Sequence, residues 1–191
     1  MFAGGKPAID LLRAIRIPFR SPGIDYIGGR DGFPAFWLSE GADVKAPFRL
    51  HLPASLPADF AIAATVKPER ANDAFIFAVV NPSETVIQLG LQLSHHGGRA
   101  NLTLLYTDVD MHLSSQELAT FSIPDVAFTW ARFLLTAEQD NITLYLNCQP
   151  VGSQVVQRIP RSLTFDTAST LYIGQAGPLL GGHYKVRTPL F

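Results

Sequence analysis

The sequence predicts an all-β protein, an antiparallel β-sandwich or jelly roll with one short amino-terminal helix. Three observations support this prediction. Apolar and polar residues alternate with a period of two in many short segments, turn-forming residues separate these segments, and no rhythm of alternating strands and helices is present. With 191 residues, of which only 16% are charged, the chain is long enough to bury a core as one domain spanning residues 1–191.

The helix is predicted over residues 8–17, where Ile9, Leu12 and Ile15 recur at helical spacing. Pro18 and the Ser21-Pro22-Gly23 turn end it. Residues 1–7 and 185–191 show no sustained pattern. We expect both ends of the chain to be irregular.

Strands account for most of the remaining chain. They are predicted at residues 32–38, 46–53, 60–66, 74–80, 86–94, 100–106, 120–123, 130–137, 141–148, 155–159 and 171–174. The clearest pair is the hairpin at 130–148, whose polar connection lies at 138–140. Its return strand places Ile142, Leu144, Leu146 and Cys148 on one face, so this face is expected in the core.

Composition excludes several classes of function. A net charge of −1 and a pI near 6.5 argue against nucleic-acid binding, which normally requires a basic surface. No apolar run approaches the ~18 residues that a membrane span needs. Lys6, Asp10 and Arg13 interrupt any apolar core of a signal peptide, so none is predicted in this chain.

Catalytic and metal sites are not predicted, and we expect no cofactor. Glu138 and Asp140 have the spacing of paired glycosidase carboxylates, but they lie in a turn, and Thr143 occupies the position of the third acid in jelly-roll glycosidases. His95 and His96 precede Gly97 in a predicted loop tip, and neighbouring residues of a strand point to opposite faces, so they do not form a metal pair.

Two N-glycosylation sequons are present, at Asn101-Leu102-Thr103 and Asn141-Ile142-Thr143. Both asparagines fall on the polar face of a predicted strand, close to a turn. A bulky glycan is tolerated at such positions. In a secreted protein we expect at least one of them to be modified.

Basic residues are dispersed along the chain. Four of them, Arg158, Arg161, Lys185 and Arg187, form a candidate patch for sulfated polysaccharides, which clustered positive charge binds. The alternative is ordinary solvated surface charge.

Cys148 is the only cysteine, so it has no partner for a disulfide within the chain and forms no zinc motif. On the apolar face of a strand, a single cysteine most often behaves as a small core residue. The other interpretation is half of a disulfide whose partner is missing.

Several strings of residues point to a family. Trp130-x-Arg132 and the strand at 144–148 resemble the penultimate hairpin of thrombospondin N-terminal-like domains, a branch of the laminin-G-like (concanavalin-like) sandwiches. The strings at 32–36, 59–62, 89–94, 104–107, 121–124 and 174–177 resemble the amino-terminal non-collagenous domain of the multiplexin collagens. Type XV is favoured over type XVIII by Gly32-Phe33-Pro34-Ala35 and Phe60-Ala61-Ile62.

This resemblance implies a secreted, non-enzymatic interaction module of the extracellular matrix and basement membrane, carried by a collagen chain that forms trimers. Its implied partners are heparan sulfate and matrix proteins. A lectin-like sandwich that binds carbohydrate is the alternative function, and a sandwich glycosidase ranks third.

The carboxy-terminal region departs from the family pattern. The resemblance implies a further strand after Gly174 and a cysteine that pairs with the position of Cys148. Residues 182–191 do not continue that pattern. From sequence, the chain is therefore expected to lack its last strand and to be a fragment, with an unpaired sheet edge and with Cys148 as half of a disulfide.

Overall fold

The structure is a computed structural model, and it describes residues 8–15, 22–39, 41–69, 73–180 and the backbone of 188–190. Strands dominate the described chain. They are β1 (Ile24–Gly28), β2 (Pro34–Leu38), β3 (Val44–Pro47), β4 (Ser55–Leu56), β5 (Phe60–Val66), β6 (Ala74–Val80), β7 (Ile87–His96), β8 (Arg99–Tyr106), β9 (Glu117–Pro124), β10 (Ala131–Glu138), β11 (Asn141–Leu146), β12 (Gln149–Val155), β13 (Leu163–Thr164), β14 (Thr170–Ile173) and β15 (Thr188–Leu190).

Two antiparallel sheets form a sandwich, which confirms the predicted fold class. One has seven strands in the order β1-β2-β15-β5-β10-β11-β12, and the other has six in the order β3-β14-β6-β7-β8-β9. A two-stranded ladder of β4 and β13 lies apart from both sheets. Every recorded pairing is antiparallel, as expected for strands joined by turns.

Alternation along the strands creates the core between the sheets. Leu89, Leu91 and Leu93 of β7 and Phe133 and Leu135 of β10 belong to one buried cluster. Each side chain is 2% exposed or less. Strand β6 is buried along its whole length, in agreement with the prediction of a central strand that is apolar on both faces.

The predicted amino-terminal helix is shorter than expected. Within the described residues it is a 3₁₀ turn at Leu11–Ala14, capped by Asp10, whose side chain accepts a hydrogen bond from the Leu12 backbone N–H at 3.0 Å. Two further 3₁₀ turns lie at Arg30–Gly32 and Phe48–Leu50. Residues 16 and 17 of the predicted helix lie outside the described residues.

The prediction of an irregular end at 185–191 is wrong for residues 188–190. Strand β15 lies between β2 and β5, and Leu190 pairs with both Phe36 and Val66. Three residues are too few to show alternation, and Pro189 lacks the backbone N–H that an internal strand normally contributes to its ladder, so the sequence pattern does not reveal this strand. Residues 1–7 and 185–187 lie outside the described part of the chain.

The core position predicted for Cys148 is also wrong. Strand β11 ends at Leu146, and Asn147 and Cys148 form the two-residue turn before β12, where Leu146 pairs with Gln149. Both turn residues have positive φ, 50° and 66°, as a type I′ turn requires. The alternation that placed Cys148 inward therefore stops two residues earlier, and the thiol is exposed.

Candidate functional site

Arg158 does not belong to an exposed basic patch as the sequence predicted. It is buried, with 2% of the residue exposed. Its guanidinium lies 5.6 Å from the ring centroid of Phe60 and 5.7 Å from that of Tyr106, one residue from each sheet. Arg158 Nη2 donates to the backbone carbonyl of Gln139 at 2.5 Å. The cation therefore closes one end of the sandwich and does not face a solvent-borne ligand.

The hydrogen-bonding capacity of the Arg158 guanidinium is satisfied only in part. Its Nε and Nη1 are buried without a hydrogen-bond partner among the described residues. Beside it, the Tyr106 hydroxyl donates to the Pro160 carbonyl at 2.8 Å. Burial raises the pKa of Tyr106 to about 12, and the positive charge of Arg158 opposes part of that rise. Arg158 and Tyr106 therefore have a structural role at this end of the sandwich.

Arg161 is the one member of the predicted patch that is described and exposed. It forms a two-point ion pair with Asp140, with Nε to Oδ1 at 3.2 Å and Nη2 to Oδ2 at 2.5 Å. Lys185 and Arg187 lie outside the described residues. The structure thus does not bring the four cations together within the part of the chain that it describes.

The outer surface of the six-stranded sheet carries an array of neutral polar side chains. Leu91, Leu93 and Leu102 face the core, so the alternating positions on β7, β8 and β9 face outward. We call this array the polar face, and its members are Gln92, Ser94, Asn101, Thr103, Thr120 and Ser122. The register joins them in two rows, Gln92–Thr103–Thr120 and Ser94–Asn101–Ser122.

The polar face is built on rigid strands and ordered by its own hydrogen bonds. Thr103 is 5% exposed, and its hydroxyl lies 3.0 Å from that of Thr120. Arg99 Nε donates to the Ser122 hydroxyl at 3.0 Å, which places one cation at the border. The other polar members are accessible or half-buried, so their donors and acceptors can meet a ligand.

An apolar cluster continues the same outer surface next to the polar face. Phe75 lies beside Gln92 in the ladder, and it packs in a buried group with Leu105, Tyr172 and Ala176. The segment after β14 therefore covers the sheet on that side. Among the described residues, the polar rows of β7, β8 and β9 lie beyond this apolar cluster on the same surface.

Sequence reasoning identified Asn101 but missed the rest of the polar face. The signal was present as polar residues that alternate with apolar ones in three predicted strands: Gln92, Ser94, Asn101, Thr103, Thr120 and Ser122. What the sequence did not supply was the register of these strands, and only the register aligns Ser94 with Asn101 and Ser122. A one-residue slip would have turned the same side chains into the core.

The outer surface of the seven-stranded sheet has a different character. Outward residues of its central strands include Ala61, Ala63, Leu134 and Thr136, and Leu134 is 37% exposed. Asn141, the second sequon asparagine, lies at the rim of this surface as the first residue of β11. The two sequons therefore lie on opposite outer surfaces of the sandwich.

The histidines considered in the sequence as metal ligands can be located in the fold. Among the described residues, no three His, Cys, Asp or Glu side chains are grouped to hold a metal ion. His95 and His96 lie in β7 and not in a loop tip. Their side chains face opposite ways: that of His95 is 4% exposed, 3.6 Å from Asp125, and His96 is exposed.

The helices of the described chain are too short or too polar to cross a membrane.

The sequence is similar to part of a human collagen. The match to the collagen alpha-1(XXIV) chain of Homo sapiens is 26% identical over 135 residues, and it covers 70% of this chain but 7% of the collagen. The chain thus corresponds to a small segment of that much longer protein. No protein-family model matches the sequence.

Similar solved structures establish the fold. Domain 4 of the extracellular arabinanase AbnA from Geobacillus stearothermophilus, solved in complex with arabinotriose, gives a TM-score of 0.57 at 16% identity, covering 87% of this chain and 74% of that one. Domains LG4-5 of the mouse laminin alpha1 chain give a TM-score of 0.52 at 12% identity, covering 80% and 38%. The fold is a sandwich of the laminin-G and jelly-roll type.

Proposed function

We propose that this chain is a non-enzymatic binding module of the extracellular matrix, carried by a collagen-type protein and directed at carbohydrate or matrix-protein ligands. The observation that carries the proposal is the uncovered polar face on one sheet of a laminin-G-like sandwich. The similarity to a segment of a human collagen supports the matrix context.

The chemistry of the polar face suits sugars. Hydroxyl and carboxamide groups both donate and accept hydrogen bonds, as sugar hydroxyls do. Held on three paired strands, these groups need little reordering to meet a ligand, and this reduces the entropy cost of binding. The face holds six uncharged side chains, with Arg99 at its border.

Two classes of carbohydrate are distinguished within this proposal. Heparan sulfate is the ligand that the family resemblance implies, and its binding would rely on Arg99, Arg161 and the cations at 185 and 187. A neutral oligosaccharide is the second candidate, and the uncharged polar face favours it. Matrix proteins are the remaining partners that we propose, through either outer surface.

The parent protein is part of the same proposal. We place the module in the amino-terminal non-collagenous region of a secreted, trimeric basement-membrane collagen. A multiplexin, type XV in preference to type XVIII, is the parent that the strings at 32–36 and 60–62 favour. Gly-X-Y repeats in the sequence downstream of this domain would support a collagen parent, and their absence there would contradict it.

The test is binding of the purified domain to immobilised heparin and to a panel of immobilised neutral matrix oligosaccharides, at low and moderate salt. Heparin binding should weaken steeply as salt screens the charges, whereas binding through neutral hydrogen bonds should change little. Binding to neither surface, nor to matrix proteins on the same support, would contradict the proposed function.

A further inference from the structure

The two sequons occupy different environments in the fold, although their sequences read alike. A glycan is attached through Nδ2 of asparagine and is bulky, so the folded domain must leave room for it at the surface. Asn141 is exposed and Asn101 is half-buried. The surroundings of each asparagine extend this difference.

Asn141 has open space around it. It follows the two-residue turn at 139–140 and pairs across the ladder with Glu138 and Val155, both exposed, and Val155 is 87% exposed. Its Oδ1 accepts a hydrogen bond from the Ser153 hydroxyl at 2.6 Å. Its Nδ2, which would carry the sugar, bonds to no described residue.

Asn101 is enclosed by the polar face. It is the third residue of β8, and Ser94 and Ser122 flank it on the two neighbouring strands. The sequon threonine, Thr103, is 5% exposed and bonded to Thr120. A sugar on Asn101 would lie across these strands and cover the surface that is proposed to bind a ligand.

We propose that Asn141 is the glycan-bearing position of this domain and that Asn101 stays unmodified, as a member of the polar face. The glycan then decorates the rim of the seven-stranded sheet and leaves the six-stranded sheet accessible. This inference rests on the proposed function, because only a chain that enters the secretory pathway is N-glycosylated.

The experiment is glycan mapping of the wild-type domain expressed through the secretory pathway of an animal cell. Trypsin separates the sequons, because Asn101 falls in the peptide 100–132 and Asn141 in the peptide 133–158. Release of glycans by N-glycanase in heavy-oxygen water converts each occupied asparagine to labelled aspartate. We expect the label in peptide 133–158 and its absence from peptide 100–132.

Two variants serve as controls on the intact protein. Asn141→Gln should remove the mass that N-glycanase releases from the wild type, and Asn101→Gln should leave that mass unchanged. Label in peptide 100–132, or no label in peptide 133–158, would overturn the inference. These glycan measurements are independent of ligand binding, which is measured separately on the unglycosylated domain.

Discussion

Arg158 shows at the scale of a single residue why a cation in the sequence need not be a binding residue. Its apolar stem lies in the sandwich, and its guanidinium lies between the rings of Phe60 and Tyr106. Two of its nitrogens lack partners among the described residues. A buried polar group that is only partly satisfied lowers stability, so packing rather than charge must account for most of its contribution.

Replacement of Arg158 separates these two contributions. Arg158→Met keeps a long apolar side chain between the rings and removes the unsatisfied nitrogens, so the free energy of unfolding should change by less than about 1.5 kcal/mol. Arg158→Ala leaves a void and should cost about 2–4 kcal/mol. Urea denaturation of both variants measures the difference.

A Met variant as unstable as the Ala variant would mean that the charge itself stabilises the fold. Heparin retention provides an independent check on the same variants. Because the guanidinium is enclosed, Arg158→Met should elute at the wild-type salt concentration. Elution of the folded variant at a lower salt concentration than the wild type would show that Arg158 contributes to heparin binding.

Tyr106 makes stability depend on pH in the alkaline range. Its pKa is raised from 10 to about 12 in the folded protein, so the neutral phenol is favoured by the fold. Its contribution is complete below pH 10 and is lost as pH rises towards 12, because the unfolded chain ionises first. The slope reaches about 1.4 kcal/mol per pH unit within that window.

Comparison with Tyr106→Phe isolates this effect, because other groups, including Tyr172, titrate in both proteins. The variant loses the hydrogen bond to Pro160 and should be less stable by about 1 kcal/mol at pH 8. Between pH 10 and 12 the gap should close and then reverse, because the roughly 2–3 kcal/mol that the wild type loses over these two pH units exceeds it. A gap that stays constant across this range, in thermal or urea unfolding, would contradict the assigned environment of Tyr106.

At the scale of the element, the hairpin of β11 and β12 depends on its two-residue turn. Asn147 suits the left-handed conformation, and its Oδ1 accepts hydrogen bonds from Arg132 N at 3.0 Å and Arg30 Nη1 at 3.2 Å. Cys148 adopts φ of 66° without such compensation. A side chain with a Cβ is strained there by about 1 kcal/mol.

Cys148→Gly should therefore raise the free energy of unfolding by about 0.5–1 kcal/mol, since Asn-Gly is the preferred sequence for a type I′ turn. Cys148→Ala is the matched control, because it removes the thiol and keeps the strain. Equal stability of the two variants in urea denaturation would show that the thiol, and not the backbone, determines the effect.

The elements that sequence predicted well are those whose pattern is local. Strands at 60–66 and 74–80 coincide with β5 and β6, because alternation or continuous burial between turn residues specifies them. Prediction failed where long-range pairing decides the structure. Strand β9 begins at Glu117, ahead of the predicted strand at 120–123, because it pairs with β8. Strand β12 occupies Gln149–Val155 because a tight turn folds it onto β11.

The candidate site was less predictable than the fold for the same reason. The burial of Arg158 could not be recognised from sequence, because it depends on the rings of Phe60 and Tyr106. These two residues belong to different sheets and are 46 residues apart in sequence. The polar face depends on the register of three strands. By contrast, the exposure of Asn141 followed correctly from its place on the polar side of a strand next to a turn.

In the whole molecule, the two outer surfaces of the sandwich have different proposed roles. The seven-stranded sheet presents Ala63, Leu134 and Thr136, with Asn141 at its rim as the proposed glycan site. The six-stranded sheet presents the polar face, which is the proposed ligand surface. Substitutions on the polar face should thus weaken carbohydrate binding, whereas comparable substitutions on the seven-stranded sheet should not.

The most direct test of the central proposal is binding of polar-face variants to a neutral oligosaccharide that retains the wild-type domain. Gln92→Ala combined with Ser94→Ala should weaken binding about tenfold or more, since it removes several hydrogen bonds worth about 1 kcal/mol each. Thr136→Ala, on the opposite sheet, should bind as the wild type does. Undiminished binding by the folded double variant, or equal losses from both surfaces, would contradict the assignment of function to the polar face.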